Sequence, residues 1–102
     1  VVSCIVGKLV RDRIPEIMRA QGKSPEVESI DGVRLRSALK DKLVEEAVEL
    51  REAADIREEL ADVLEVIDAL VDAYSLDREE ILIAQQKKRR DRGGFDQGCF
   101  LK

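Results

Sequence analysis

Five carboxylate residues lie at helical spacings in the middle of this 102-residue chain. Glu45-Glu46-x-x-Glu49 is followed, ten residues later, by Glu59-x-x-Asp62. Both groups fall inside apolar helical patterns, and acids that converge at a partly buried seam repel one another and lose hydration unless a cation joins them. Mg²⁺ and Mn²⁺ are held by carboxylate oxygens, and their usual substrate partner is a phosphate chain. The spacing therefore predicts Mg²⁺-dependent chemistry, with Mn²⁺ as an alternative ion, on a nucleotide-like substrate.

The acids interrupt the stripes that should face a core. At about 100° per residue, Glu46 projects into the apolar stripe of one helix and Glu59 into that of the next, with Glu49 and Asp62 at the edges. If the two helices pack antiparallel, the two pairs can meet. The competing interpretation is that these acids face solvent, as acids on charged helices usually do.

Four helices are needed to position these residues. Asp12 as an N-cap and Pro15 in the first turn predict a short helix over residues 12–21, and residues 22–32 form a loop. Apolar spacings of three and four predict helices over residues 33–54, capped by Asp31, and over residues 56–74. One continuous helix through residues 54–56 is the alternative, since that junction has no Gly or Pro.

The last helix is predicted over residues 77–91. Ser75 or Asp77 would cap its start, and Gly93-Gly94 would end it. The resulting fold class is all-α, in a single domain over residues 1–102. The chain has no Trp, one Tyr and two Phe, so its core must be built from aliphatic residues, which suits helix packing and dimerisation.

The charge distribution points to a small polyanionic substrate. Residues 41–72 hold twelve acids and three bases, a net charge of −9, whereas the whole chain carries −4. The flanks are basic, and this acidic overall balance argues against a nucleic-acid partner. No apolar run reaches the length of a membrane span and no signal peptide is visible, so we expect no membrane partner.

Cysteine and histidine content narrow the chemistry further. Cys4 and Cys99 form no metal-binding pattern and are expected to be reduced thiols of a cytoplasmic protein. The chain contains no His, which excludes histidine-based triads, histidine ligands and a histidine general base. A carboxylate is therefore the natural base.

These residues resemble a known family. The motifs EExxE and ExxD, the latter within EELADVLEVIDAL, are similar to the signature of MazG-type nucleotide pyrophosphohydrolases of the all-α NTP pyrophosphatase superfamily. KLVRDRIPEI (residues 8–17) and KKRRDRGGF (residues 87–95) resemble the phosphoribosyl-ATP pyrophosphohydrolase-like branch of that family. The resemblance covers nearly the whole chain and implies a four-helix MazG-like unit that forms an oligomeric bundle, as a homodimer or tetramer.

The resemblance also implies an activity and a set of site residues. The activity is Mg²⁺-dependent hydrolysis of a nucleoside triphosphate between the α and β phosphates, giving a monophosphate and pyrophosphate, with nucleotide-pool house-cleaning as a role. The implied metal ligands are Glu46, Glu49, Glu59 and Asp62. Glu45 would be a ligand, a partner of a ligand or the group that orients the attacking water, so Glu45 and Glu46 are the candidate catalytic residues.

Cations are also needed at the leaving pyrophosphate. The candidates come from both basic ends of the chain: Lys8, Arg11, Arg13, Lys87, Lys88 and Arg92. Some of them have a simpler interpretation, since basic residues at a helix C-terminus also favour the helix dipole and solubility.

Two rival functions fit the same residues. The first is phosphoribosyl-ATP pyrophosphohydrolase of histidine biosynthesis, which shares the chemistry and differs in substrate. The second is a non-catalytic helical dimerisation or interaction module, which would have solvent-facing acids and no response to metal.

Overall fold

The computed structural model describes residues 7–102, so Cys4 lies outside the described residues. Within that range the chain is all-α: four helices are present and no strand. Their bounds are α1 Ile14–Ala20, α2 Gly32–Glu52, α3 Arg57–Ala73 and α4 Arg78–Arg92. None of these helices is both long and apolar enough to cross a bilayer. The predicted all-α class with four helices is confirmed.

The start of α1 differs from the prediction. Asp12 was expected to be the N-cap, but Arg13 occupies that position with a helical backbone, φ −92° and ψ −3°. The chain reaches α1 through a turn in which the Ile14 amide donates to the Arg11 carbonyl at 3.0 Å. This turn places Asp12 one residue before the N-cap position, so no side chain caps the helix. Pro15 lies in the first turn, as predicted.

A short connection over residues 53–56 joins α2 to α3. Ala53 leaves the helix with an extended backbone, ψ 140°. The Arg57 amide then donates to Asp55 Oδ1 at 3.1 Å, which satisfies a free N–H at the start of α3. This side-chain contact replaces the missing Gly or Pro, and the predicted break between two helices is confirmed.

The helices α2 and α3 pack extensively against each other as an antiparallel hairpin. At one level of this hairpin, the Arg36 and Lys40 cations of α2 lie 5.4 and 5.3 Å from the ring centroid of Tyr74, at the end of α3. Among the described residues, the buried hydrophobic side chains are Leu39, Val66 and Val71. The core is therefore small, and it lies between two helices.

Helix α4 extends away from this hairpin. Asp77 caps it by accepting from the Glu79 amide at 2.9 Å, and Gly93 ends it with φ 84°, a conformation that favours glycine. Every residue of α4 is exposed. Ion pairs from Arg78 to Asp68 (2.5 Å) and to Asp72 (3.7 Å) tie the first turn of α4 to α3.

Candidate metal and phosphate site

Three carboxylates meet on one face of α2. Glu45, Glu46 and Glu49 each contribute an oxygen atom, and these atoms all lie within 4.8 Å of one another. The spacing of one and four residues brings them together, because one helical turn separates the first two from the third. Glu45 is half-buried, Glu46 is buried and Glu49 is exposed, so the cluster runs from the hairpin seam to solvent.

Glu46 is the buried member of the cluster, with 5% of its surface exposed. Its Oε2 atom has no hydrogen-bond partner. Burial, then the adjacent carboxylate of Glu49, and then the charge of Asp62 raise the pKa of Glu46 to about 6, although Lys42 opposes them. A buried carboxylate oxygen without a partner is costly, and a bound cation would relieve that cost.

Lys42 lies over the cluster from the preceding turn of α2. Its Nζ atom is 2.7 Å from Glu45 Oε2 and 4.0 Å from Glu46 Oε1. Lys8 Nζ adds a second cation 3.4 Å from Glu45 Oε2. Burial raises the pKa of Glu45, but the hydrogen bond and charge of Lys42, with those of Lys8, outweigh burial and lower it. Glu45 therefore stays ionised beside Glu46.

Lys42 was missing from the set predicted from the sequence. Its spacing contained the signal, because a lysine three residues before Glu45 and four before Glu46 shares their helix face. That signal is common on charged helices. Only the partial burial of this Lys42, whose side chain is 17% exposed, distinguishes it from a surface lysine.

The acids of α3 approach the cluster from the other helix. Asp62 is half-buried and close enough to Glu46 to contribute to its raised pKa, and its Oδ1 atom accepts from Arg11 Nη2 at 2.5 Å. Glu59 is half-buried one turn earlier on α3. Neither belongs to the group of three whose oxygens lie within 4.8 Å of one another.

The six predicted phosphate-binding cations divide into two sets. Lys8 and Arg11 contact acids of the site, as described above. Arg13 pairs with Glu16 of α1 at 2.9 Å, and Lys87 pairs with Asp91 of α4 at 3.1 Å. Lys88 and Arg92 are exposed on α4, beyond the hairpin. The structure thus brings two of the six to the carboxylates.

A cavity of about 500 Å³ opens beside the cluster, between α2, α3 and the segment before α1. Glu46, Lys42 and Arg11 line one end of it. The donor set at that end consists of carboxylate oxygens, one of them buried and unpartnered, with cations around them. Such a set could hold a hard divalent cation, whereas a soft metal would require thiolate or imidazole ligands.

Comparison with known proteins adds one relative. A protein of Mycolicibacterium smegmatis, described as uncharacterized, is 47% identical over 53 residues. That match spans 52% of this chain and 53% of the relative, so the chain covers about half the length of the protein it resembles. No family model matches the chain, and no solved structure matches it.

Proposed function

We propose that this chain is a Mg²⁺-dependent nucleoside triphosphate pyrophosphohydrolase of the MazG type, which cleaves between the α and β phosphates and acts on the cytoplasmic nucleotide pool. The observation that carries the proposal is the unpartnered Oε2 of Glu46, 95% buried within a group of carboxylates. A purely structural helix would place an apolar residue there, because an orphaned buried acid destabilises the fold. The motif resemblance supplies the reaction.

In this proposal the metal ligands are Glu46, Glu49, Glu59 and Asp62. A bound Mg²⁺ would polarise the phosphate oxygens and lower the pKa of a coordinated water. Glu49 and Glu46 already offer oxygens to one centre. Asp62 and Glu59 stand on the facing helix, and Asp62 would have to exchange its contact with Arg11 for the metal.

Glu45 would orient the attacking water and accept its proton. Lys42 and Lys8 keep this carboxylate ionised, which a proton acceptor must be. When phosphate oxygens arrive, Arg11, Lys8 and Lys42 are the cations beside the site, and they would offset the charge that develops on the leaving pyrophosphate. The other four candidate cations would reach the pyrophosphate only after a rearrangement or from a second copy of the chain. They are Arg13, Lys87, Lys88 and Arg92.

We also propose that the working form is a homodimer or tetramer. The buried apolar core of the described residues consists of three side chains, which is small for a chain of this length. Meanwhile α2 and α3 expose an apolar stripe at helical spacing: Val44, Val48, Leu60, Leu64 and Ile67. A second copy of the hairpin would cover this stripe and provide the missing burial.

The experiment that tests the activity is pyrophosphate release from a panel of NTPs, dNTPs and phosphoribosyl-ATP, with Mg²⁺ and with EDTA. Glu46→Gln is the test variant. Glu52→Gln, an exposed acid at the end of the same helix, is the matched control. Mg²⁺-dependent release that Glu46→Gln lacks and Glu52→Gln retains is the expected result.

Two other outcomes decide against the proposal or refine it. Release from phosphoribosyl-ATP alone would assign the histidine-pathway reaction. If no nucleotide releases pyrophosphate and the wild type binds no Mg²⁺, the pyrophosphohydrolase proposal is wrong and a helical interaction module is left. The unpartnered oxygen of Glu46 favours a pyrophosphohydrolase, whichever nucleotide is its substrate, over a helical interaction module.

A further inference from the structure

The segment before α1 is attached to the hairpin by side chains alone. Residues 8–12, here called the strap, form the third wall of the cavity through Leu9, Val10 and Arg11. Within the described part of the chain, no backbone hydrogen bond joins the strap to α2 or α3, and the Arg11 carbonyl bonds only to the start of α1. Leu9 is half-buried and the other strap residues are exposed. The strap is therefore weakly held.

Two ion pairs fasten the strap, and both end on acids of the carboxylate site. Lys8 Nζ lies 3.4 Å from Glu45 Oε2 on α2, and Arg11 Nη2 lies 2.5 Å from Asp62 Oδ1 on α3. The four side chains are between 33% and 54% exposed, so each pair is open to water and stabilises the contact only weakly. The closed strap thus depends on acids that a divalent cation would also contact.

The charges at the site explain why a divalent cation and the strap compete. Four acids lie close to three basic side chains. The acids are Glu45, Glu46, Glu49 and Asp62, and the bases are Lys8, Arg11 and Lys42. When all are ionised the acids exceed the bases by one charge, whereas a divalent cation among them gives an excess of one positive charge. The strap cations then meet repulsion in place of attraction, and the strap can move away because it is not part of either helix.

We propose that the strap is an autoinhibitory contact, which closes the site in the metal-free chain and is released when a divalent cation binds the carboxylates. This inference rests on the proposed function, because it takes the carboxylates as the metal site. Release frees Lys8 and Arg11 from their acids and opens the cavity that Ala69 lines on α3. The same two cations then bind the phosphates of an arriving substrate, and the strap closes again over them.

The coupling between strap and cation must act in both directions. A cation that loosens the strap is itself bound less tightly, by the same factor, while the strap is closed. Each partly exposed ion pair accounts for about two- to fivefold, so Lys8→Gln/Arg11→Gln should tighten Mn²⁺ binding by roughly tenfold. The control is Arg13→Gln, because Arg13 pairs with Glu16 of α1 and not with the site. Unchanged Mn²⁺ affinity in the double variant would overturn the proposal.

Backbone ¹⁵N relaxation of the wild type measures the strap directly. In EDTA the order parameters of residues 8–12 should be about 0.8, and saturating Mg²⁺ should lower them below about 0.6, the range of a flexible segment. Sodium chloride at the same ionic strength is the control, since salt alone also screens exposed ion pairs. Strap order parameters that are equal in EDTA and in Mg²⁺ would contradict release. Inorganic tripolyphosphate added with Mg²⁺ should restore the order, and a strap that stays flexible would contradict the second closure.

The variant Glu46→Gln separates this inference from the proposed function. It removes a proposed metal ligand but leaves both strap contacts, with Glu45 and Asp62, in place. Its strap should therefore stay ordered at every Mg²⁺ concentration. If the wild type binds Mg²⁺ and releases pyrophosphate while its strap does not respond, the strap inference alone is wrong. If the wild type binds no Mg²⁺, the proposed function has failed and the inference fails with it.

Discussion

The guanidinium of Arg11 lies 2.5 Å from the carboxylate of Asp62, and this contact joins the segment before α1 to the middle of α3. It links residues 51 positions apart, between a candidate phosphate ligand and a candidate metal ligand. Arg11 therefore occupies the position that a metal ion bound to Asp62 would need. Likewise, Asp62 occupies the position that a phosphate bound to Arg11 would need. Substrate and metal would have to separate the pair, which makes Arg11 and Asp62 a sensitive point for testing the site.

Replacing Arg11 should separate metal affinity from turnover. In Arg11→Gln, Asp62 loses its competing partner, so we expect Mn²⁺ to bind about two- to fivefold more tightly, the range that a partly exposed ion pair allows. Pyrophosphate release should fall by roughly tenfold or more, because a cation at the leaving group is lost. Mn²⁺ affinity is measured by electron paramagnetic resonance and turnover by the release of pyrophosphate.

The matched control is Arg34→Gln, which removes a comparable exposed ion pair with Glu28, 3.2 Å long and away from the site. It should leave both quantities unchanged. Weaker Mn²⁺ binding in Arg11→Gln would contradict the view that Arg11 and the metal compete for Asp62.

Neutralising Glu46 should stabilise the metal-free protein and abolish its response to metal. At pH 7.5 the carboxylate of Glu46 is ionised although its surroundings favour the neutral form, and this destabilises the folded state. Glu46→Gln should therefore raise the free energy of unfolding by up to about 2 kcal/mol in EDTA. The Mg²⁺-induced rise in Tm of the wild type should disappear in this variant. Differential scanning calorimetry with and without Mg²⁺ measures both, with Glu52→Gln as control.

The same carboxylate makes the stability of the metal-free protein depend on pH. The pKa of Glu46 rises from 4.5 to about 6 on folding, so its protonated form favours the folded state. Its contribution is fully present below pH 4.5 and is lost as the pH rises through about 6. The loss amounts to about 2 kcal/mol, at 1.36 kcal/mol per pH unit.

Urea unfolding in EDTA from pH 4 to 8 checks this, as the difference between wild type and Glu46→Gln at one protein concentration. The subtraction is needed because the lowered pKa of Glu45 works in the opposite direction, with stability lost as the pH falls. A difference that does not vary with pH would show that Glu46 does not titrate in this window.

Lys42 should act as an internal substitute for the metal. In Lys42→Met the carboxylate of Glu45 loses its main partner, which lies 2.7 Å away in the wild type. The free energy of unfolding of the metal-free protein should therefore fall by about 1–3 kcal/mol at pH 7.5. Saturating Mg²⁺ should restore much of this, because the metal neutralises the same acids. The Mg²⁺-induced shift in Tm should therefore exceed that of the wild type.

Lys23→Met, at an exposed position in the loop after α1, serves as the control and should behave as the wild type. If Mg²⁺ shifts the Tm of Lys42→Met by less than that of the wild type, Lys42 supports metal binding instead of standing in for it.

The exposed stripe of α2 and α3 should hold the oligomer together. Leu64 is 62% exposed at the centre of the stripe on α3, and Leu64→Glu would bury a charge at the interface. We expect light scattering after size exclusion to give a dimer or tetramer for the wild type and a monomer for this variant. Val27→Glu places the same change at a loop position that is 56% exposed, and it should keep the wild-type mass.

Local patterns in the sequence are sufficient to specify the helices. The apolar spacing of three and four residues, Asp77 as a cap and Gly93 as a stop all act over one or two turns, so they could be recognised locally. They gave four helices, with the break between α2 and α3, to within a few residues. Asp12 failed as a cap because the preceding turn, with Arg11 accepting from Ile14, sets where α1 begins.

The surroundings of each site residue depend on how distant segments pack together. Periodicity placed Glu46 on the apolar stripe, but only packing against α3 buried it to 5% exposure and left Oε2 without a partner. It also brought Arg11 to Asp62, left α4 and its basic residues exposed, and opened the cavity beside Ala69. Such features depend on distances between segments far apart in the chain, and a helical period specifies a face without specifying the neighbour it will meet.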